Sequence, residues 1–364
     1  MFKKIFIFAV IILFMPIVIL RITNYSIGQN NILLFNQFET SQEDREYIRI
    51  VFYNVENLFD IYDDSLKNDE EFTPVGIKNW NYNKFQQKLN NIYKTLIAVG
   101  EWEPPAIVGL CEIENRYVLN KLIFETPLKK FNYKIIHEES PDLRGIDVAL
   151  LYRSKKFKPL FHKAIPVIFP FNTDKKTRDI LYVKGLIFNE DTLHLFVNHW
   201  PSRYGGLLAT KPLRNFTASV LKNTIDSIFE NNSSANILIM GDFNDEPTDQ
   251  SLTISLNAVT DTINIKSTGL INLMALKQKS QSEGTLKYKN NWNFFDQFIV
   301  SYSLFNGKNK LHVAPHGAII FNSVFLKEDD PKYLGIKPFR TYSGPKYLGG
   351  FSDHFPVYID LFAN

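Results

Sequence analysis

The sequence predicts a mixed α/β fold of two packed β-sheets flanked by helices, and three observations carry the prediction. Apolar runs of strand length recur from about Tyr47 to Leu361. Many of these runs are apolar on both faces, so each sheet needs a cover on either side. Few segments show the three- and four-residue spacing of an amphipathic helix, which leaves sheets for the centre and helices for the outside.

In chain order, Met1 to Lys4 form a positive start and Ile5 to Leu20 an apolar run interrupted at Pro16. That run is short for a membrane span and suits the core of an export signal. Ser26-Ile27-Gly28 puts small residues where a signal peptidase reads. Residues 1–28 are therefore expected to be a signal peptide cleaved before Gln29, or an uncleaved anchor that associates with a membrane through residues 5–20. Either form places the folded part outside the inner membrane. Residues 29–46 are expected to be a linker and 47–364 one large domain, because 17 Gly and 17 Pro are spread along the chain without a low-complexity break. Strands are expected at Ile48 to Tyr53, Ala106 to Cys111, Val148 to Tyr152, Ile180 to Phe188, Leu193 to Val197, Ile237 to Met240, Phe298 to Val300 and Val357 to Leu361. A helix is expected from about Asn83, with Phe85, Leu89, Ile92 and Leu96 on one face and Gly100 as its stop. Weaker patterns suggest helices around Arg116 to Glu125 and from about Leu213 to Phe229. The stripe of the last is Phe216, Val220, Leu221, Thr224 and Ile228.

Composition narrows the function. With 45% apolar and 22% charged residues the chain can bury a large core. The formal charge of +3 includes Lys3, Lys4 and Arg21 of the acid-free first segment. The remainder is neutral on balance, which argues against a non-specific DNA binder with a broad basic face but leaves a nuclease open. Cys111 stands alone, so an intramolecular disulfide and a Cys-rich zinc site are both excluded. Nothing in the chain points to an obligate protein partner.

Polar groups collect at the ends of the apolar runs: Asn54 and Glu56 near the first, Glu112 and Glu114 around the second, and Asn198-His199-Trp200-Pro201 after Leu195-Phe-Val197. Gly241-Asp242-Phe243-Asn244-Asp245, Asp296, and Ser352-Asp353-His354 before the last strand complete the set. Taken singly, each has a structural reading as turn chemistry, a strand end or a satisfied histidine. Glu112 resists that reading most, because a carboxylate leaving a core must be paired, protonated or bound to a metal. Together the groups form the oxygen and imidazole ligand chemistry of a hard divalent cation, Mg²⁺ or Mn²⁺. Such an ion polarises a phosphoryl oxygen while imidazoles and carboxylates handle the protons.

At these residues the chain resembles the endonuclease/exonuclease/phosphatase superfamily, the fold of deoxyribonuclease I, exonuclease III and the neutral sphingomyelinases. The resemblance runs from about Arg49 to Leu361, with Asn54, Glu112, His199, Gly241-Asp-Phe-Asn244, Asp296 and Ser352-Asp-His354 in the family's order. The longer stretches Asn54-Val-Glu-Asn-Leu-Phe-Asp60, Arg144-Gly-Ile-Asp-Val-Ala-Leu-Leu-Tyr152, Thr177-Arg-Asp-Ile-Leu181 and Asn198-His-Trp-Pro-Ser-Arg203 are similar to a bacterial, often exported branch. The resemblance implies a four-layer sandwich and a metal-dependent hydrolase of phosphoester bonds. It implies that Asn54 and Glu112 lie at the metal with Glu56 beside them and Asp353 as a further ligand. Asp242 and Asn244 would orient water and a phosphate oxygen, and His199 would donate to the phosphate or leaving oxygen. Asp296 would fix the tautomer of His354 and raise its basicity for proton uptake. Cys111 stands before Glu112 where many relatives have Gln, a departure that alters the surroundings of the metal rather than abolishing its binding.

Arg144, Arg178 and Arg203 adjoin these motifs and are candidate substrate-binding residues, since a guanidinium suits bidentate phosphate contacts. Trp200 and Tyr204 could stack on a base or roof the pocket. The leading expectation is an exported phosphodiesterase or nuclease acting on DNA, RNA or nucleotides. A phosphatase or phosphodiesterase on a lipid or sugar phosphate is the alternative, and an inactive binding module on the same fold is the third reading.

Overall fold

The computed structural model describes residues 47–363 apart from 102, 189–190, 262–264, 279–282 and 308–309. The expected signal segment, the linker and the membrane-associating residues 5–20 lie outside the described residues. No helix among the described residues is long and apolar enough to cross a membrane.

In chain order the strands are β1 (Tyr47–Leu58), β2 (Ile107–Ile113), β3 (Tyr133–His137), β4 (Asp147–Arg153), β5 (Phe157–Ile165), β6 (Ile180–Ile187) and β7 (Asp191–His199). They continue as β8 (Asn236–Asp242), β9 (Ala258–Val259), β10 (Leu270–Asn272), β11 (Leu286–Tyr288), β12 (Asn291–Asn293), β13 (Asp296–Ser301) and β14 (Leu311–Val313). The last are β15 (Ile319–Ile320), β16 (Lys327–Asp329), β17 (Ile336–Pro338), β18 (Tyr342–Ser343), β19 (Lys346–Tyr347) and β20 (Val357–Ala363). The helices are α1 (Tyr82–Gly100), α2 (Arg116–Glu125), α3 (Leu207–Asn231), α4 (Leu273–Gln278) and α5 (Tyr302–Phe305).

Two mixed sheets form, as expected. One runs β14-β20-β1-β2-β4-β3 with β15 also on β20, and the other runs β5-β6-β7-β8-β13-β10-β9. Each has a parallel pair near its centre, β1 with β2 and β7 with β8. A parallel pair needs a long crossover, and α1 and α3 lie in those two connections.

Alternation along the strands sets four layers. Ile48, Ile50 and Phe52 of β1 join Leu195, Val197, Leu238, Met240 and Phe298 in the core between the sheets. The intervening Val51, Tyr53 and Val55 pack with Phe85, Leu89, Ile92 and Leu96 of α1 and Leu119 and Leu122 of α2. On the far side of the second sheet, Phe196, Ile237 and Ile239 meet Ala218, Leu221 and Ile225 of α3. Each fully buried aliphatic side chain contributes roughly 1.5–3 kcal/mol to this packing. Gly109 lets the sheets approach, since a Cβ there would lie 2.9 Å from the Met240 sulfur.

All eight expected strands are present. Helix α1 begins at Tyr82, capped by the Asn81 side chain accepting from Lys84 N–H, and α2 occupies the expected span. Helix α3 starts six residues earlier than its pattern suggested, at Leu207. Pro212 lies inside it, and a proline there forfeits a backbone hydrogen bond, which hid the first turns from the sequence. Its buried line is Arg214, Thr217, Ala218, Leu221, Ile225 and Phe229, while Phe216, Val220 and Ile228 flank it. The sequence reading missed β5, whose outer positions Leu160 to Lys163 are exposed and which contains Pro159 beside a register shift. Both features belong to an edge strand.

Candidate active site

The two parallel pairs deliver their C-terminal ends to one place. In the second sheet His199 stands opposite Asp242 and Asp242 opposite Asp296, so three adjacent strands bring three functional groups into one row. In the first sheet Asn54 stands opposite Cys111, one residue before Glu112. The Ser352-Asp353-His354 turn enters beside them as it leads into β20, which pairs with β1. Ser352 Oγ donates to the Asn54 carbonyl at 2.7 Å and locks the turn to β1.

Irregular backbone aims the carboxylates. The register slips between Asn54 and Leu58 on β1 and between Cys111 and Ile113 on β2. Glu56, Asn57, Glu112 and Asn244 adopt φ of 53°, 57°, 61° and 51°. A regular strand would send alternate side chains to opposite faces, whereas a bulge re-aims them. Cys111 thereby points into the inter-sheet core while Glu112 remains at the strand end, one-seventh exposed at 15%. Gly241 is required by a tight contact in the same region, because a Cβ would lie 2.5 Å from the Asn198 carbonyl oxygen.

Among the described residues no lysine or arginine is in ion-pair contact with Glu112, although the charges of Lys88 and Arg340 reach it. Its Oε2 accepts Asn57 N–H at 2.9 Å, and its Oε1 lies 3.5 Å from Asn54 Nδ2 and 3.9 Å from His199 Nε2. Asn54 Nδ2 also donates to Asp242 Oδ2 at 3.1 Å, while Asn54 Oδ1 accepts Glu56 N–H at 2.9 Å. Asn54 therefore bridges two carboxylates with its nitrogen. Its oxygen meanwhile ties the side chain to the backbone of the β1 bulge. A carboxylate pair with an amide, and no lysine or arginine ion pair among the described residues, suits a hard divalent cation that keeps much of its water.

Across from Glu112, His354 Nδ1 lies 2.7 Å from Asp296 Oδ2. Its Nε2 lies 4.0 Å from both Asp242 Oδ2 and Asp353 Oδ1. Burial alone would lower the His354 pKa, but Asp296, with help from Asp242 and Asp353, holds it well above the ordinary value. His199 goes the other way: burial, then the charges of Arg178, Arg144 and His354, push it well below. Its Nε2 faces the carboxylates, 3.6 Å from Asp242 Oδ2, and its buried Nδ1 has no hydrogen-bond partner among the described residues. Burial raises Asp242 to about 7, against the opposing charge of His354. Asp242 Oδ1 accepts Asn244 N–H at 3.0 Å, and Asn244 Nδ2 donates to the Trp200 carbonyl at 3.1 Å. Asp242, Asp296 and His354 each bring a ligand atom within 4.8 Å of the others, but the latter two are already engaged with each other.

Glu56 and Asp353, expected at the metal, are instead joined by an arginine. Arg340 Nε lies 3.3 Å from Glu56 Oε1 and Arg340 Nη2 lies 2.9 Å from Asp353 Oδ2. Glu56 Oε2 also accepts Thr341 N–H at 2.6 Å. Burial and the Asp353 charge raise Glu56 to about 7, while burial lowers Lys88 to about 8. Sequence reasoning missed both Lys88 and Arg340. Lys88 had a signal, since it falls on the buried face of α1 beside Leu89, where a lysine needs a partner. Arg340 sits in a loop after β17 and had none.

The three arginines proposed for substrate separate. Arg178 is buried and spends its donors internally, on the His199 carbonyl at 3.1 Å, the Trp200 carbonyl at 2.6 Å and Asp142 Oδ2 at 3.0 Å. Arg203 donates to the Asn244 carbonyl, pairs with Asp245 and Asp249, and stacks over Phe295. Both hold the loops that carry His199 and Asn244, so the structure makes them positioning groups rather than substrate contacts. Arg144 alone is open, with a half-exposed side chain 3.7 Å from Asp142. Trp200 is fully buried against Phe243 and cannot stack on a base, whereas Tyr204 is exposed.

Comparison with known proteins agrees with the fold. No curated protein matches the chain by sequence. A humanized TDP2 of D. rerio superposes with a TM-score of 0.53 at 14% identity, covering 86% of this chain and 98% of that one. An endonuclease/exonuclease/phosphatase family protein of Bacteroides thetaiotaomicron gives 0.53 at 14% identity, covering 88% and 99%. The human Nocturnin catalytic domain with a bound sulfate gives 0.50 at 17% identity, covering 88% and 98%. At these identities the likeness is one of fold. The model of the Endonuclease/Exonuclease/phosphatase family matches residues 49–363, and the chain therefore belongs to that family of phosphoester hydrolases.

Proposed function

We propose that the protein is a divalent-cation-dependent phosphodiesterase acting on nucleic acid or nucleotides. The observation that carries this reading is the position of Asp242, whose Oδ2 lies within 4.0 Å of Asn54 Nδ2, His199 Nε2 and His354 Nε2. A carboxylate raised to about 7 is matched to proton uptake near neutral pH, so Asp242 takes the proton of the attacking water. His354, held protonated by Asp296, neutralises the phosphoryl charge and gives up its proton to the leaving oxygen. This exchanges the roles expected from the sequence, where His354 was the base, because the environments push the two groups in the directions that fix acid and base. His199 donates from Nε2 to a phosphoryl oxygen. Glu112 would hold Mg²⁺ or Mn²⁺ with the Asn54 amide beside it, and the bound ion would polarise the phosphoryl oxygen.

A groove of about 640 Å³ beside Arg178 and Pro201 supports a polymeric substrate. Arg144, Lys175, Lys176 and the exposed Tyr204 line it together with the acids Glu71, Asp142 and Asp174, so it offers cations for single phosphates and a ring for a base rather than a broad basic face. One of the similar structures is a D. rerio TDP2 complexed with a single-strand DNA product. The test is a hydrolysis panel with Mg²⁺ and Mn²⁺ over DNA, RNA, bis-nitrophenyl phosphate, sphingomyelin and phosphomonoesters. Turnover confined to sphingomyelin or phosphomonoesters would replace this reading with the lipid or sugar phosphate one. Inactivity on every substrate would leave the binding module.

We further propose that the domain 47–364 is exported, on the strength of the positive start and the apolar run from Ile5 to Leu20. Full-length protein in the cytoplasmic fraction of its host would refute that.

A further inference from the structure

The charged groups at the site divide into two sets. In one, the carboxylates of Glu56 and Asp353 face the guanidinium of Arg340, and the buried Lys88 is close enough for its charge to act on both. Two anions meet two cations. In the other, Asp242 and Asp296 lie against His354 and Glu112 lies beside His199, with the charges of Lys88 and Arg340 reaching Glu112 only from a distance. No lysine or arginine among the described residues is in ion-pair contact with Glu112 or Asp242, whereas Arg340 touches both Glu56 and Asp353. Buried carboxylates need such compensation.

The presentation of Arg340 is built in. Helix α1 grips its loop from below: Lys88 Nζ donates to the Phe351 carbonyl at 2.8 Å, and Asn91 Nδ2 donates to the Gly349 and Gly350 carbonyls at 3.1 and 2.8 Å. The loop then closes on itself, with Phe351 N–H donating to the Phe339 carbonyl at 2.6 Å. Gly350 permits the crossing, because a Cβ there would lie 2.4 Å from the Arg340 carbonyl oxygen. These buried polar contacts have no part in the apolar packing of α1. They fix the backbone that carries Arg340 and Thr341, both of which hold Glu56.

We propose that Arg340 is an internal counter-ion standing between Glu56 and Asp353, where a second divalent cation would otherwise bind, so that the protein takes up a single divalent cation, at Glu112. This rests on the proposed cation-dependent chemistry. A guanidinium bridging both carboxylates engages the oxygens Glu56 Oε1 and Asp353 Oδ2 that it contacts, and its charge repels a further cation. Arg340 is 40% exposed, so its removal would open the carboxylate pair to solvent and ions.

The experiment is a Mn²⁺ titration of the full chain, with bound ion counted by calorimetry and by the electron paramagnetic resonance of free Mn²⁺. The wild type should bind one Mn²⁺, lost in Glu112→Gln. Arg340→Met should bind two, the second at least tenfold more weakly, and Arg340→Lys should return the count to one. Two ions on the wild type, or one on a folded Arg340→Met, would overturn the role of Arg340. The wild-type count decides even if Arg340→Met does not fold. No Mn²⁺ on the wild type would remove the cation-dependent reading along with it, whereas two would leave that reading standing.

Discussion

Replacing Asp296 with Asn tests the pairing on which the proposed chemistry depends. The 2.7 Å contact to His354 is screened little, since the two side chains are 0% and 7% exposed. A charge-assisted hydrogen bond of this kind contributes about 1.5–3 kcal/mol. Its loss should cost the fold about 2 kcal/mol, a change of roughly 30-fold in the ratio of folded to unfolded chains. The His354 pKa is raised on folding. The stability it contributes is therefore fully present below the unfolded value near 6.5 and is lost as pH rises through the higher folded value. The gap in stability between wild type and Asp296→Asn should be widest in the weakly acidic range and close at alkaline pH. Turnover should fall by about 10²-fold or more, the scale of a lost proton-transfer group. Urea unfolding at several pH values, proton NMR of the His354 ring and steady-state kinetics would read the three quantities. A wild-type His354 that titrates near 6.5, or a variant retaining a third of wild-type turnover, would refute the argument.

Glu112→Gln should lower activity at limiting Mn²⁺ and recover part of it in excess, and a rate insensitive to Mn²⁺ concentration would count against its role. Gly241→Ala should destabilise by about 1–3 kcal/mol, the scale of overpacking, because its Cβ meets the Asn198 backbone. It should also lower turnover by shifting Asp242, and unchanged melting would show that the strands relax freely. Asp360→Asn, which breaks the buried bidentate pair with Arg49, should cost roughly 3–5 kcal/mol by the scale for such pairs. Its turnover below the melting temperature should match wild type, since the pair joins β1 and β20 away from the site.

The layers were legible because their cause is local. Every strand that packs on both faces carries a continuous apolar run, and α1 carries the full stripe from Phe85 to Leu96. Strand β5 and the start of α3 were hidden because an exposed edge and an internal proline do not follow those patterns. At the site, Asn54, Glu112, His199, Asp242, Asp296 and His354 could be named because each follows or precedes an apolar run of strand length, and the parallel pairs then gather them. The partners of Arg178, Arg203 and Arg340 could not. Whether a guanidinium faces a phosphate or a carbonyl depends on loops whose paths no short-range pattern sets, and only burial distinguishes the two.

The left-handed backbone at Glu56 and Glu112 bears on how this chain can evolve. An L-residue with a Cβ loses about 1–2 kcal/mol in that conformation, and glycine does not. Selection acting on heat resistance alone would thus favour glycine at Glu112 and discard the carboxylate that faces the proposed cation, whereas Glu56 is retained by its bonds to Arg340 and Thr341. The protein sits below the stability its own topology permits, and variants with higher melting temperatures from an unbiased library should be richest in dead enzymes where the chain bends.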